Sequence, residues 1–195
     1  DGTMARKKAL LDFSQKHNLK IGTIADLINY RILNEKTVEK IDQKSVKTEY
    51  GKFNLILYKD LIFDETHLVL QKGKISKNSP TLVRVQQSNF FHDLLNINEF
   101  GARWSVSDSM KKINEAGKGI ILLIDGENKK QDEFNEINSS KKKRITAPNN
   151  DPRRIGIGSQ ILRDLGVQKI KLMGSEVRYP SLSGFDLEVT EYLKK

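Results

Sequence analysis

Apolar residues recur along this chain with two different periods, and the change of period divides it into elements. Leu10, Leu11 and Phe13 fit a helix between Ala5 and Lys16. Leu27, Ile28, Tyr30, Ile32 and Leu33 fit a second helix from Asp26 to about Ile41, with a short strand, Ile21 to Ile24, expected between the two. This opening segment is too short to bury a core alone and has to dock on something. From Lys47 the period drops to two. Tyr50 to Tyr58 alternates as a strand, and Thr66 to Gln71, with Leu68 and Leu70, reads as its hairpin partner. Lys72-Gly73-Lys74 makes a turn, and Thr81 to Gln86 a third strand. Ser107 to Glu115 reads as a helix ending at Ala116-Gly117. Gly119 to Ile124, GIILLI, is an unbroken apolar run, the mark of a central strand covered on both faces.

The strongest pattern runs from Asp151 to Met173. Asp151 suits a helix N-cap and Pro152 the first helical position. Ile157, Ile161 and Leu165, with Leu162 beside them, form one apolar face, and Gly166 is the natural stop. Val167 to Met173 follows as a strand, with Ile170 and Leu172 on one side and Lys169 and Lys171 on the other. Gly184 to Val189 reads as a last short strand and Glu191 to Lys195 as a polar tail. Asn89 to Trp104 fits no element, and Lys129 to Asn149 reads as a loop. The pattern predicts an α/β fold around a mixed sheet.

Composition narrows the picture. The chain has 195 residues, enough for one good-sized domain and an appendage. No apolar run approaches the ~20 residues of a membrane span. The opening DGTMARKK is unlike a signal peptide, and its lack of an initial methionine suggests a start inside a longer protein. There is no cysteine, hence no disulfide or thiolate metal site, and cytoplasm is the expected compartment. The 34 Lys and Arg against 25 Asp and Glu give +9, which points to anionic partners such as nucleotides or sugar phosphates. Nucleic acid is not expected. The one dense basic run, Lys141-Lys142-Lys143-Arg144, has no interleaved aromatics.

Candidate chemistry comes from a resemblance. DGTMAR followed by HNLKIGTIADLINYR resembles the C-terminal end of 3,4-dihydroxy-2-butanone 4-phosphate synthase. YGKFNLILY, THLVLQKG, TLVRV, GKGIILL and IGIGSQILRDLGVQKIKLM resemble GTP cyclohydrolase II. Together they look like the C-terminal part of a bifunctional riboflavin-biosynthesis protein. The resemblance implies residues 1–45 as the synthase tail, a helix-strand-helix remnant, and 46–195 as a GTP cyclohydrolase II-like domain. The synthase's own catalytic residues would precede Asp1.

Active cyclohydrolases use zinc, held by three cysteines, to activate a water against the guanine ring, and they also use magnesium. At the cysteine positions this chain has Asn89, Phe100 and Ala102, so no zinc and no other cofactor is expected. His92, Asp93 and Glu99 lie nearby as a weak substitute set, and His17 and His67 read as structural. The family's Arg-Gln-Glu-Gly-Arg is here Asp125-Gly126-Glu127-Asn128-Lys129, and Lys129 keeps a charge without the bidentate fork of arginine. The family's Thr-Asn-Asn-Pro is Gly174-Ser175-Glu176-Val177, with Tyr179 where a lysine would follow. Arg84, Glu127 and Lys129 remain as nucleotide-binding candidates. Asp151 and Arg153 match the proposed proton acceptor and the nucleophile toward the α-phosphate. The competing role for Asp151 is a plain N-cap.

The expected function is therefore a degenerate, non-catalytic cyclohydrolase-like domain supporting the attached synthase, in a homodimer. The alternatives are a hydrolase of reduced chemistry, releasing pyrophosphate through Arg153, or a sensor of GTP or another phosphorylated ligand through Arg84, Lys129 and Arg153.

Overall fold

The computed structural model describes residues 4–87, 93, 104–124, 152–176 and 180–195. The chain forms two compact units, Asp1–Glu35 and Lys36–Lys195.

The first unit has two helices, α1 (Lys7–Lys16) and α2 (Ile24–Asn34). The strand expected over residues 21–24 is absent, because Thr23 caps a helix there. Its Oγ1 accepts from the Asp26 amide at 3.0 Å and donates to the Asp26 carboxylate at 2.6 Å. The remnant is helix-loop-helix, not helix-strand-helix. Helix α2 also stops seven residues before the expected Ile41, at Asn34, where Glu35 turns extended. Its run of apolar residues ends at Leu33, and nothing beyond offers a helical face. Leu10, Leu11, Phe13, Leu27 and Tyr30 are exposed.

Among the described residues, the second unit has seven strands: β1 (Val38–Thr48), β2 (Gly51–Asp60), β3 (Thr66–Lys72), β4 (Thr81–Gln87), β5 (Gly119–Ile124), β6 (Lys169–Met173) and β7 (Glu188–Leu193). They lie in the order β1-β2-β3-β5-β4-β6-β7. The three-stranded ribbon β1-β2-β3 is antiparallel, and β3 joins β5 antiparallel. From β5 through β4 and β6 to β7 the strands run parallel. Helix α3 (Val106–Ala116) connects β4 to β5, helix α4 (Pro152–Asp164) precedes β6, and a 3-10 turn (Pro180–Phe185) precedes β7. This is the mixed α/β sheet that the pattern predicts.

Two strands fall elsewhere than expected. β1 occupies residues assigned to the end of a helix and to no element, and it spans the 45/46 boundary, pairing with β2 from Val38↔Asp60 to Thr48↔Gly51. It is an edge strand, exposed along most of its length, and carries no period-two signal. β7 begins at Glu188, not Gly184, and contains most of the expected tail. Across it Lys171 of β6 faces Glu191, and the two form an ion pair at 2.7 Å.

Strand alternation assigns the core to two faces. On the α3 face, Phe53, Leu82, Ile121 and Met173 pack with Ile113 of the helix, and Trp104 and Leu193 close the margin. The opposite face, under α4, takes Ile56, Tyr58, His67, Val69, Ile120 and Leu122, all buried. Gly158 lets α4 lie close: an added Cβ would stand 3.2 Å from Ile124 Cδ1 and 3.6 Å from Leu122 Cδ2. The far end of α4 is tied to the start of β1. Gln160 Oε1 accepts from the Thr37 amide at 2.9 Å, and Asp164 accepts from Lys36 at 2.9 Å and from the buried Tyr58 hydroxyl at 2.7 Å. Burial, and then the Asp164 bond, pushes the Tyr58 phenol well above its ordinary range. Burial alone would raise Asp164, but the bonds from Lys36 and Tyr58 hold it below the usual carboxylate range.

Candidate functional site

In an open sheet with parallel strands, ligands collect outside the carboxyl ends of those strands. Here that edge is formed by Gln87, Ile124 and Met173. Because β3 runs against β5, its first residues lie at the same edge. The β2–β3 hairpin corner and the first turn of α4 therefore border the site on the α4 face.

The corner is built from a short turn. The Asp60 amide donates to Glu65 O at 2.8 Å and closes it. Asp60 Oδ1 accepts from the amides of Ile62 and Phe63 at 2.7 and 3.3 Å, so the side chain supports the turn it begins. His67 pairs across the ladder with Tyr58, which puts Asp60, two residues on, diagonal to it on the same face. Asp60 and His67 are 1% and 0% exposed. Each of Asp60, Glu65 and His67 offers one donor atom, and the three atoms lie within 4.8 Å of one another. Arg153, in the first turn of α4, reaches this group. Its Nη2 donates to both Glu65 oxygens at 2.9 Å, and its guanidinium stacks 3.9 Å from the Phe63 ring.

Arg84 is placed quite differently. It shares a face with Leu82, so it lies on the α3 side, across the sheet from Arg153. Its Nη1 donates to Met173 O at 2.9 Å, its Nη2 to Trp104 O at 3.2 Å, and its Nε to Gln86 Oε1 at 2.9 Å. The Gln86 amide in turn donates to both Asp93 oxygens, at 3.1 and 2.9 Å. Arg84 thus straps β4 to the end of β6, and Asp93 belongs to that strap. The two cationic candidates that fall within the described residues are not brought together. Asp151, Glu127, Lys129, Asn89, Phe100, Ala102, His92 and Glu99 lie outside them.

The fold has a counterpart among known proteins. The sequence model for GTP cyclohydrolase II matches residues 39–194. The chain belongs to that family. A 3,4-dihydroxy-2-butanone 4-phosphate synthase of Pseudomonas aeruginosa is 44% identical over 195 residues, covering 99% of this chain and 53% of the relative. The riboflavin biosynthesis protein RibBA of Aquifex aeolicus is 38% identical over 205 residues, covering 98% of this chain and 50% of the relative. Among solved structures, RibBX, a two-domain 3,4-dihydroxy-2-butanone 4-phosphate synthase from A. baumannii, superposes with a TM-score of 0.64 at 40% identity. It covers 99% of this chain and 51% of its own. The chain spans about half the length of the relatives it matches.

The thiolate-bound zinc of active GTP cyclohydrolase II does not fit the donor chemistry of this chain, which has no cysteine. What sequence reading missed is the corner of Asp60, Glu65 and His67. Its signal was present but faint: Glu65 and His67 are two apart at the start of a strand, and Asp60 ends the preceding one.

Proposed function

We infer that this chain is the C-terminal part of a riboflavin-biosynthesis protein and that its GTP cyclohydrolase II-like domain does not open GTP. The domain instead supports the attached 3,4-dihydroxy-2-butanone 4-phosphate synthase, in a cytoplasmic homodimer. One observation carries this: the apolar framework of the family persists while every cysteine is gone, with Asn89, Phe100 and Ala102 at the ligand positions. Without a thiolate-held Lewis acid, the water that attacks the imidazole ring of guanine has no activator. Two further facts support the reading. The P. aeruginosa and A. baumannii relatives are named for the synthase alone. Arg153, matched to the family's nucleophile, has its Nη2 engaged by both oxygens of Glu65.

The second reading, pyrophosphate release from GTP without ring opening, is favoured by the retained pair Asp151 and Arg153. A third, a sensor of GTP or another phosphorylated ligand through Arg84, Lys129 and Arg153, finds less support, since Arg84 is spent on carbonyls.

The test is a turnover assay of the purified chain with GTP, zinc and magnesium, following formate and pyrophosphate separately. Neither product is expected. Formate at roughly 1 per second, a rate typical of metabolic enzymes, overturns the inference. Pyrophosphate alone, lost in both Asp151→Asn and Arg153→Gln, promotes the second reading. Calorimetry with GTP at moderate salt is expected to show only weak, salt-sensitive binding.

A further inference from the structure

We propose that Asp60, Glu65 and His67 form a binding site for a divalent transition-metal cation of the manganese or zinc class, in competition with Arg153. The site is distinct from the cysteine positions of the family and uses none of them.

Three observations carry the proposal. First, two carboxylates and one imidazole present donor atoms within 4.8 Å of one another. That mixed oxygen and nitrogen set suits Mn2+, Fe2+ or Zn2+ better than Ca2+ or Mg2+. Second, Asp60 is 1% exposed, and its Oδ2 is buried with no hydrogen-bond partner among the described residues. A buried carboxylate oxygen without a partner is costly, and a cation is the group that best satisfies it. Its other oxygen is fixed by the amides of Ile62 and Phe63, so its direction is set before any ion arrives. Third, Glu65 carries the only one of the three carboxyl or imidazole groups that reaches partial solvent contact, at 19% side-chain exposure. It gives an ion a way in.

The geometry also sets a cost. A cation held at about 2.1 Å by each donor needs them about 3–3.5 Å apart, so the corner has to close by about 1 Å. Glu65 is the donor able to move, and it is now held by Arg153 at 2.9 Å. An ion and a guanidinium cannot share this carboxylate without mutual repulsion. Occupancy by the metal therefore displaces Arg153 from Glu65, and at the corner a bound cation and the arginine compete for one carboxylate.

The test titrates MnCl2 into the purified chain, with free Mn2+ followed by electron paramagnetic resonance, and repeats it with ZnCl2 by calorimetry. One saturable site per chain is expected. Asp60→Asn and His67→Gln each weaken it about tenfold or more, and His17→Gln leaves it unchanged. Arg153→Gln tightens it several-fold by removing the competitor. No saturable site for either ion overturns the proposal, as does binding that survives both Asp60→Asn and His67→Gln. Weaker binding in Arg153→Gln overturns the competition. Should the corner variants fail to fold, proton NMR of the unmutated chain decides. Substoichiometric Mn2+ is expected to broaden the His67 ring signals before those of His17, and the reverse order sinks the site.

Discussion

The two faces of the sheet treat an arginine at the same edge in opposite ways. On the α3 face Arg84 donates to the carbonyls of Met173 and Trp104 and to the Gln86 amide oxygen. On the α4 face Arg153 gives Nη2 to a carboxylate and stacks on Phe63. Neutral acceptors at Nε, Nη1 and Nη2 fix the Arg84 guanidinium by geometry. A carboxylate both holds a guanidinium and cancels its charge. The comparison teaches that a retained cation is not a retained phosphate site. Arg84 has become architecture, and Arg153 has become half of an ion pair that something else can break.

The comparison can be broken at four points. The largest effect is expected at Arg84, where Arg84→Met leaves two main-chain carbonyls without this donor and destabilises by about 3 kcal/mol. Urea denaturation measures it, and a loss below about 0.5 kcal/mol would return Arg84 to the ligand candidates.

Next is Gly119→Ala, which strikes the α3 face alone. The new Cβ would stand 2.7 Å from Ile113 Cγ1 and 2.8 Å from Leu82 O, and a backbone oxygen cannot step aside. A cost of about 2 kcal/mol is expected. The α4 face should be spared, so the coupling between Arg153 and Glu65 should be the same in this background.

That coupling is the third point. A double-mutant cycle of Glu65→Gln and Arg153→Gln should give about 1 kcal/mol, shrinking with added salt, because the pair is only partly buried, at 27% and 19% side-chain exposure. Zero coupling would make the pairing incidental.

The smallest effect concerns pH at the far end of α4. Asp164 is held below the usual carboxylate range, so its contribution is present above about pH 4 and fades as pH falls through its folded value. Tyr58→Phe removes one of the bonds that hold it there and should flatten the acid loss. Tyr58 is shifted upward, so the unmutated chain should also lose stability above about pH 10, a loss that the phenylalanine variant lacks. Melting curves at pH 3, 7 and 11 read both slopes.

Much of the fold was legible because burial writes itself into the sequence. β2, β3, β4 and β5, with α3 and α4, follow from alternation, from GIILLI and from the apolar face of Ile157 and Ile161. The elements misread are those with little to bury. β1 touches the sheet along one edge only, so its residues are polar and look like the end of a helix. The start of α2 was hidden by Ile21 and Ile24, apolar residues that stand exposed. At the candidate site Arg153 was legible from its motif. The corner was not, because it depends on the register that sets His67 opposite Tyr58, and no local spacing encodes a register.

The polar β1 has a consequence for how this protein avoids open-ended strand pairing along the sheet edge. β2 beside it is a long alternating strand whose Phe53, Ile56 and Tyr58 are buried. β1 covers its hydrogen-bonding edge with lysines, acids and a bulge between Lys40 and Asp42. A chain trimmed at residue 45 would keep β2 and lose most of its guard. The apolar strand would then offer an open row of amides and carbonyls to the next molecule. Trimming at residue 35 keeps the guard whole, and the edge that the shortened chain then shows is the charged one.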